Sequence, residues 1–303
     1  MELLCKKRCI IGEGPIWNCE RGLLYYVNGY ENEVCTVDIE SGSPEVIKLP
    51  DPQTGVAAVA FGKNGDMILS RADGVFALRQ GKYVPLYDTK KHTINYCNDM
   101  KVGPDGRLYV GTLSEKKRGI SEKTDGKLYS IDPQGDVRLL LDGLIVSNGM
   151  DWSMDGTRFY HTDSDTHLIR EYAFDKVTGD MAFTGREVYV LGVDGFTIDE
   201  KDRLFVACWG QGHIAVVDTG SMEITSYIAV PARIPASCAF AGRDMNRLVV
   251  VSATYGIPEE EWENDGMTFI QPLATKGRLP YLFDTERSSH LRRGSGDRVE
   301  IQP

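Results

Sequence analysis

The sequence predicts an all-β fold, a six-bladed β-propeller with four antiparallel strands per blade. Three observations predict it: a repeat of 41 to 51 residues, short apolar segments of β type between turn clusters, and 32 glycines in 303 residues. A repeat of this length matches propeller blades and exceeds the ankyrin and tetratricopeptide repeats, which are helical. Glycine at that frequency favours many tight turns over long helices.

Each repeat is anchored by a turn cluster that leads into a short apolar strand. The anchors follow one another at intervals of 43, 41, 51, 45 and 44 residues. A second β-type stretch follows each anchor, as in a hairpin, and another short segment precedes it. With a weaker outer strand, these segments make the four strands of a blade. The anchors are Leu24, Met67, Leu108, Phe159, Leu204 and Leu248, and the second stretches are VCTVDIESG, GVFALRQG, KLYSIDPQG, IREYAFDKVTG, HIAVVDTG and YLFDTE (281–286).

Six repeats account for nearly all of the chain, so we expect one closed propeller domain over residues 1–303 without a linker. The least regular part is 255–303, where the polar segments EEEWEND and SSHLRRGSGDR occur. Polar composition of this kind is typical of a solvated loop.

Charge and hydropathy exclude several classes of partner. The formal net charge is -10, and no stripe of Lys and Arg is present, so we expect no nucleic-acid partner and no anionic membrane surface. No window approaches the roughly 20 apolar residues of a membrane span, and the first residues lack the apolar core of a signal peptide. The seven scattered cysteines form no C-x-x-C pair. We therefore expect a cytoplasmic protein with free thiols and no protein partner.

Polar residues recur at one phase of the repeat. Counting back ten or eleven residues from each anchor gives Glu13, Ala57, Asn98, Asn148, Asp194 and Cys238. Each position starts the predicted innermost strand of a blade, and these strands line the central channel of a propeller. Four oxygen-bearing side chains are therefore expected to meet at one end of the channel. Glycines beside three of them permit close approach of the backbone.

Two carboxylates and two carboxamides are hard ligands, which suit Ca²⁺, Mg²⁺ or Mn²⁺. Fewer than six protein oxygens leave positions open for water and substrate, as a catalytic metal requires. The alternative is that each Asn-Gly or Asp-Gly is an ordinary turn, and Asp99 is either a further axial acid or a buried cap. The sequence contains no H-E-x-x-H, no G-x-S-x-G and no P-loop, and its five histidines do not pair.

At these residues the chain resembles the regucalcin (senescence marker protein), gluconolactonase and luciferin-regenerating-enzyme family. The resemblance implies a six-bladed propeller with one divalent cation (Ca, Zn, Mg or Mn) held by Glu13, Asn148 and Asp194. It also implies that Asn98 lies beside the metal, where it touches the substrate or completes the metal's coordination shell, and that Asp194 transfers a proton. The matching segments are GEGPIW (12–17), NDMKVGPDGRLYVGT (98–112), SNGMDWSMDGTRFYHTDS (147–164), VDGFTIDEKDRLFVACWG (193–210) and SCAFAGRDMNRLVVVSATYG (237–256).

The chain departs from that family at substrate positions. The animal members have Arg where this chain has Tyr96, and Lys116, with Glu115 beside it, replaces an acid thought to contact substrate. Many members also have Val-Asp where this chain has Val27-Asn28. We expect Tyr96, Glu115 and Lys116, together with the loop 113–125, to shape specificity.

The expected function is metal-dependent hydrolysis of a sugar lactone to its aldonic acid, a reaction that the resemblance implies. The partner is then a small molecule. Two alternatives remain: an organophosphate or aryl-ester hydrolase that uses the same site, and a calcium-binding propeller without enzymatic activity.

Overall fold

Four-stranded antiparallel sheets make up the protein, and there are six of them in the part of the chain that the structure describes, residues 1–51 and 53–285. The structure is a computed structural model. Its helical content in this part is limited to two 3-10 turns, Ser164–Thr166 and Glu259–Glu261, and none of its helices could span a membrane. The all-β prediction and the prediction of six blades with four strands each are confirmed.

The blades follow one another along the chain, with one exception in blade 6. Within each blade the strands are antiparallel, and the strand that begins the blade lies innermost. The strands are β2 (Gly12–Asn18), β3 (Leu23–Asn28), β4 (Glu33–Val37) and β5 (Pro44–Lys48) in blade 1; β6 (Val56–Phe61), β7 (Met67–Arg71), β8 (Gly74–Arg79) and β9 (Lys82–Pro85) in blade 2; β10 (Cys97–Val102), β11 (Leu108–Thr112), β12 (Gly126–Ile131) and β13 (Val137–Leu144) in blade 3; β14 (Ser147–Trp152), β15 (Arg158–Asp163), β16 (Leu168–Phe174) and β17 (Met181–Tyr189) in blade 4; β18 (Val193–Ile198), β19 (Arg203–Cys208), β20 (His213–Asp218) and β21 (Glu223–Ala229) in blade 5; and β22 (Pro235–Ala241), β23 (Arg247–Ser252), β24 (Thr268–Pro272) and β1 (Glu2–Cys5) in blade 6.

The blades form a closed ring around a central channel. The innermost strand of each blade contacts those of its two neighbours, and β22 of the last blade contacts β2 of the first. All six predicted anchors lie at the start of the second strand of a blade, on β3, β7, β11, β15, β19 and β23.

The hydrophobic core lies between adjacent blades. Separate clusters fill the interfaces of blades 1 and 2, 2 and 3, 3 and 4, and 4 and 5, and a fifth cluster joins both faces of blade 6 to its neighbours. Between blades 3 and 4, Trp152 is fully buried and its ring lies 4.8 Å from that of Tyr109, edge to face. Apolar area buried in this way contributes about 25 cal/mol per Å².

Blade 6 is built differently from the sequence prediction. Its third strand is β24, not the YLFDTE stretch, and its fourth strand is β1 from the beginning of the chain. In that stretch Phe283 forms only an isolated bridge, to Gly62 of blade 2. The expected loop over 255–303 therefore contains a strand, and its polar segment SSHLRRGSGDR, like His290, lies outside the described residues.

A segment that we call the strap, residues 273–285, follows β24 and crosses the end of the channel where the innermost strands finish. Crossing there brings it from blade 6 past blades 5 and 4 to blade 2, so this end of the channel is covered. Its hydrogen bonds to the ends of the innermost strands run from Thr275 to Asp199 (2.8 Å), from Arg278 to the Trp152 carbonyl (2.9 Å) and from Phe283 to the Phe61 carbonyl (2.9 Å).

Candidate active site

Four polar side chains occupy equivalent positions at the open end of the channel. Glu13, Asn98, Asn148 and Asp194 are each the second residue of an innermost strand. Asp194 is 5 % exposed and Asn148 is 8 % exposed. In the sixth blade this position is occupied by Ala236, and the prediction of Cys238 is wrong. The anchor Leu248 pairs with Phe240, which lies four residues after Ala236. In the same way, the anchor Leu24 of blade 1 pairs with Trp17, which lies four residues after Glu13.

Every innermost strand carries a β-bulge at this end. The register against the second strand shifts between Glu13 and Ile16 in blade 1 and between the matching residues of the other five blades. A bulge adds one residue to one strand and re-aims the side chains beside it. The polar positions therefore lie where the strand is bent, which lets neighbouring residues such as Asn98 and Asp99 both turn toward the axis.

Glycines beside the site allow the innermost strands to approach closely. A Cβ on Gly149 would lie 2.3 Å from the Asp194 carbonyl oxygen, and a Cβ on Gly195 would lie 2.1 Å from Ser237 Oγ. Real Cβ atoms do not come this near to such atoms, so any side chain here would push the strands of blades 4, 5 and 6 apart.

The carboxyl groups at the site act on one another. Burial raises the pKa of Asp194 to about 8, and the charge of Asp99 raises it too, whereas a hydrogen bond from Asn148 and the charge of Lys117 lower it. Burial also raises the pKa of Glu13, followed by the charges of Asp194 and Asp99. Like charges held together away from water disfavour ionisation, and a bound cation would relieve that cost.

The donor set fits a hard divalent cation. Within residues 1–51 and 53–285, no three side chains of His, Cys, Asp or Glu form a group that could hold a metal ion, so a protein site here needs a carboxamide as its third ligand. Asn148 supplies one, since its Nδ2 donates to Asp194 Oδ1 and its amide oxygen is a neutral ligand of the kind that Ca²⁺ accepts. Glu13, Asn148 and Asp194 are the residues that would hold the ion.

Asn98 is held in a fixed orientation at the same end. Its side-chain Nδ2 donates to the Ser147 carbonyl oxygen at 3.1 Å, and its backbone carbonyl oxygen accepts from Ser70 Oγ at 2.8 Å. Ser147 is the residue before Asn148, so one hydrogen bond links the candidate substrate residue of blade 3 to the strand that carries a candidate metal ligand in blade 4.

The other predicted substrate residues lie on the rim of the channel, the loops around its open end. Tyr96 is 41 % exposed, and the Arg118 guanidinium stacks on its ring, with Cζ 3.4 Å from the centroid. Glu115 faces its own loop, where it accepts a hydrogen bond from Ser121 at 2.7 Å and pairs with Lys123 at 3.7 Å. Lys116 is exposed. Their roles toward substrate stay predictions.

Sequence reasoning missed a charged layer further along the channel. Lys101 Nζ donates to Asp151 Oδ2 at 2.7 Å, and Arg278 of the strap bonds to the other oxygen of Asp151. These residues and Asp99 line a cavity of about 70 Å³. A usable signal existed, because Lys101 and Asp151 come three residues after Asn98 and Asn148 and so repeat the same phase. Arg278 had no such signal, since it lies on the strap.

Most of the chain is similar to known proteins. Residues 11–254 match the SMP-30/Gluconolactonase/LRE-like region. The chain is 30 % identical to regucalcin of Gallus gallus, over 93 % of this chain and 98 % of the relative. It is 31 % identical to a Bacillus subtilis (strain 168) protein named "Putative sugar lactone lactonase YvrE", over 91 % of this chain and 96 % of the relative. A crystal structure of regucalcin from Agrobacterium tumefaciens, described as a calcium-binding protein, is similar with a TM-score of 0.81 and 25 % identity, over 93 % of this chain and 96 % of that one.

Proposed function

Because the chain belongs to the SMP-30/gluconolactonase/LRE-like family, we propose that it is a divalent-metal-dependent lactonase that opens a sugar lactone to its aldonic acid. One observation carries the proposal beyond the family. Two carboxyl groups from different blades, the half-buried Glu13 and the buried Asp194, act on each other beside the Asn148 amide, at the end of the channel that the strap does not cross. Such an arrangement is an oxygen-ligand site with room left for water and substrate.

The reaction adds water to the lactone carbonyl carbon and breaks the bond between that carbon and the ring oxygen, which takes up a proton. When bound, a divalent cation supplies Lewis-acid polarisation of a carbonyl and lowers the pKa of water. In this proposal Glu13 and Asn148 hold the ion, and Asp194 both holds it and accepts the proton of the attacking water through its carboxylate. Asn98, oriented by the Ser147 carbonyl, donates to or accepts from the substrate.

The far end of the channel forms a charged floor beneath these residues. The strap closes that end, and Asp151 is paired with Lys101 and Arg278 there. Substrate and product therefore pass through the same mouth, between the rim residues of blades 3 and 4 and those of the opposite blades.

Acid release from a panel of sugar lactones tests the proposal, alongside a phosphotriester and an aryl ester. The protein is first stripped with a chelator, and Ca²⁺, Mg²⁺, Mn²⁺ and Zn²⁺ are then added back singly. We expect lactone hydrolysis only with metal, and a loss of at least about 100-fold in kcat for Asp194→Asn. Asp136→Asn, on an exposed turn between β12 and β13, is the matched control and should keep parental activity. Parental turnover by Asp194→Asn would refute its role, and preference for the phosphotriester would favour the alternative hydrolase.

A further inference from the structure

The loop 113–125 is fixed at the mouth of the channel by its first two residues. Leu113 N donates to the Tyr96 carbonyl at 2.9 Å, and Ser114 N donates to the Ile145 carbonyl at 3.0 Å. Tyr96 leads into the strand that carries Asn98, and Ile145 leads into the strand that carries Asn148. The loop therefore rises from the rim directly between two of the candidate site residues.

Three consecutive cations, residues 116–118, follow these anchor points. Arg118 lies flat on the Tyr96 ring, and its Nε donates to the Ser114 carbonyl at 3.3 Å. Stacking and this hydrogen bond fix the plane of the guanidinium. Its two terminal NH₂ groups have no partner among the described residues, so the outer edge of the guanidinium remains available as a fork of donors.

Lys117 lies on the same side of the mouth. Its Nζ is 3.6 Å from Asp165 Oδ1, on the rim of blade 4, and its charge acts on the Asp194 carboxyl group inside the channel. Lys123, on the other limb of the loop, pairs with Glu115 instead. In a chain of net charge -10, two cations, Lys117 and Arg118, thus lie on the rim next to the strands that carry Asn98 and Asn148.

We propose that Lys117 and Arg118 bind an anionic group of the substrate, so that the lactone is one that carries a second acidic group, a carboxylate or a phosphate, away from the lactone carbonyl. The inference rests on the proposed lactonase function and names its substrate class. A planar guanidinium held on an aromatic ring binds carboxylate or phosphate through two parallel hydrogen bonds, and Lys117 adds a point charge beside it. Both sources of negative charge fit this chemistry.

Three matched lactones separate the possibilities: glucono-lactone, which is neutral, the corresponding lactone with a carboxylate at C6, and the one with a phosphate at C6. We expect kcat/KM for at least one anionic lactone to exceed that for the neutral lactone about tenfold or more, mainly through KM. Arg118→Gln should lower kcat/KM about tenfold for that anionic lactone and less than about twofold for the neutral one. Lys117→Gln should act in the same direction, and raised salt should narrow the preference. The arm that responds identifies carboxylate or phosphate.

Lys123→Gln is the control, because it removes one positive charge from the same loop without touching the proposed binding pair. If the anionic lactones show no preference, or the preference survives both Arg118→Gln and Lys117→Gln while neutral lactones are still hydrolysed, the inference is wrong and the lactonase function stands. If no lactone is hydrolysed with any metal, the lactonase function fails and the inference falls with it. If Lys123→Gln lowered the preference for anionic lactones as much as Arg118→Gln does, the preference would come from the total charge of the loop, and the inference would be wrong.

Discussion

Replacing Asp194 by Asn should make the metal-free protein more stable at alkaline pH. Burial, together with the charge of Asp99, raises the pKa of Asp194 from 3.8 to about 8. A carboxyl group whose pKa is higher in the folded than in the unfolded chain loses stability as pH rises from the unfolded pKa to the folded one. At about 1.36 kcal/mol per pKa unit, the three pH units from 5 to 8 remove up to roughly 4 kcal/mol from the parent. The Asn side chain does not titrate and loses nothing.

Urea unfolding at pH 5 and at pH 8 measures this difference. In chelator, Asp194→Asn should gain up to roughly 4 kcal/mol over the parent between the two pH values. In saturating Ca²⁺ or Mn²⁺ the order should reverse at pH 8, because only the parent offers both carboxylates to the ion, and ligand binding to the folded state adds stability. Asp136→Asn serves again as the control and should follow the parent.

Two results would refute the reasoning. If parent and Asp194→Asn show the same pH dependence in chelator, the carboxyl group is not held protonated by its burial. If the metal stabilises both proteins equally, Asp194 is not a ligand, and the proposed site loses its central residue.

Three further changes probe the frame around the site. Gly149→Ala should lower the free energy of unfolding by about 1–3 kcal/mol and reduce turnover, because its Cβ would lie 2.3 Å from the Asp194 carbonyl oxygen. The control Gly220→Ala, whose nearest contact is at 3.5 Å, should change neither the urea unfolding nor the activity. Arg278→Met should lower the free energy of unfolding by about 3 kcal/mol, because it leaves the buried Asp151 with one cation. If this loss were just as large in a protein that also carries Asp151→Asn, the pairing would be contradicted. Deletion of residues 2–5 should lower the unfolding midpoint by at least about 5 °C in calorimetry, and an unchanged midpoint would deny β1 a role in closing blade 6.

The repeat could be found in the sequence because each blade restates the same local pattern. Turn residues followed by a short apolar run recur at the spacing of a blade, so anchors such as Leu24 and Leu204 identify second strands directly. The same phase placed Glu13, Asn148 and Asp194 at the starts of innermost strands, since equivalent residues of a closed ring face one axis.

The rest depended on contacts between distant parts of the chain. YLFDTE reads as a strand by composition, but β24 already pairs with β23 and leaves it no partner in the blade. The pairing of β1 with β24 joins segments that have no local relation in the sequence. Counting from an anchor fails where the blades differ in spacing: it misplaced the sixth position at Cys238, because Ala236, the second residue of β22, precedes the anchor Leu248 by more residues than the count assumes.

The pairing of β1 with β24 also has a consequence for the order in which the ring forms. Of these two paired strands, β1 leaves the ribosome more than 260 residues before β24. At about 5–20 residues per second, β1 waits roughly 13–55 s without its native neighbour. Blades 1 to 5 contain all of their own strands and can form during this interval, whereas the last interfaces on either side of blade 6 close only when both ends of this span meet. The seam of the ring is thus also the last part to form, and an unpaired strand edge is open to other chains until it has formed.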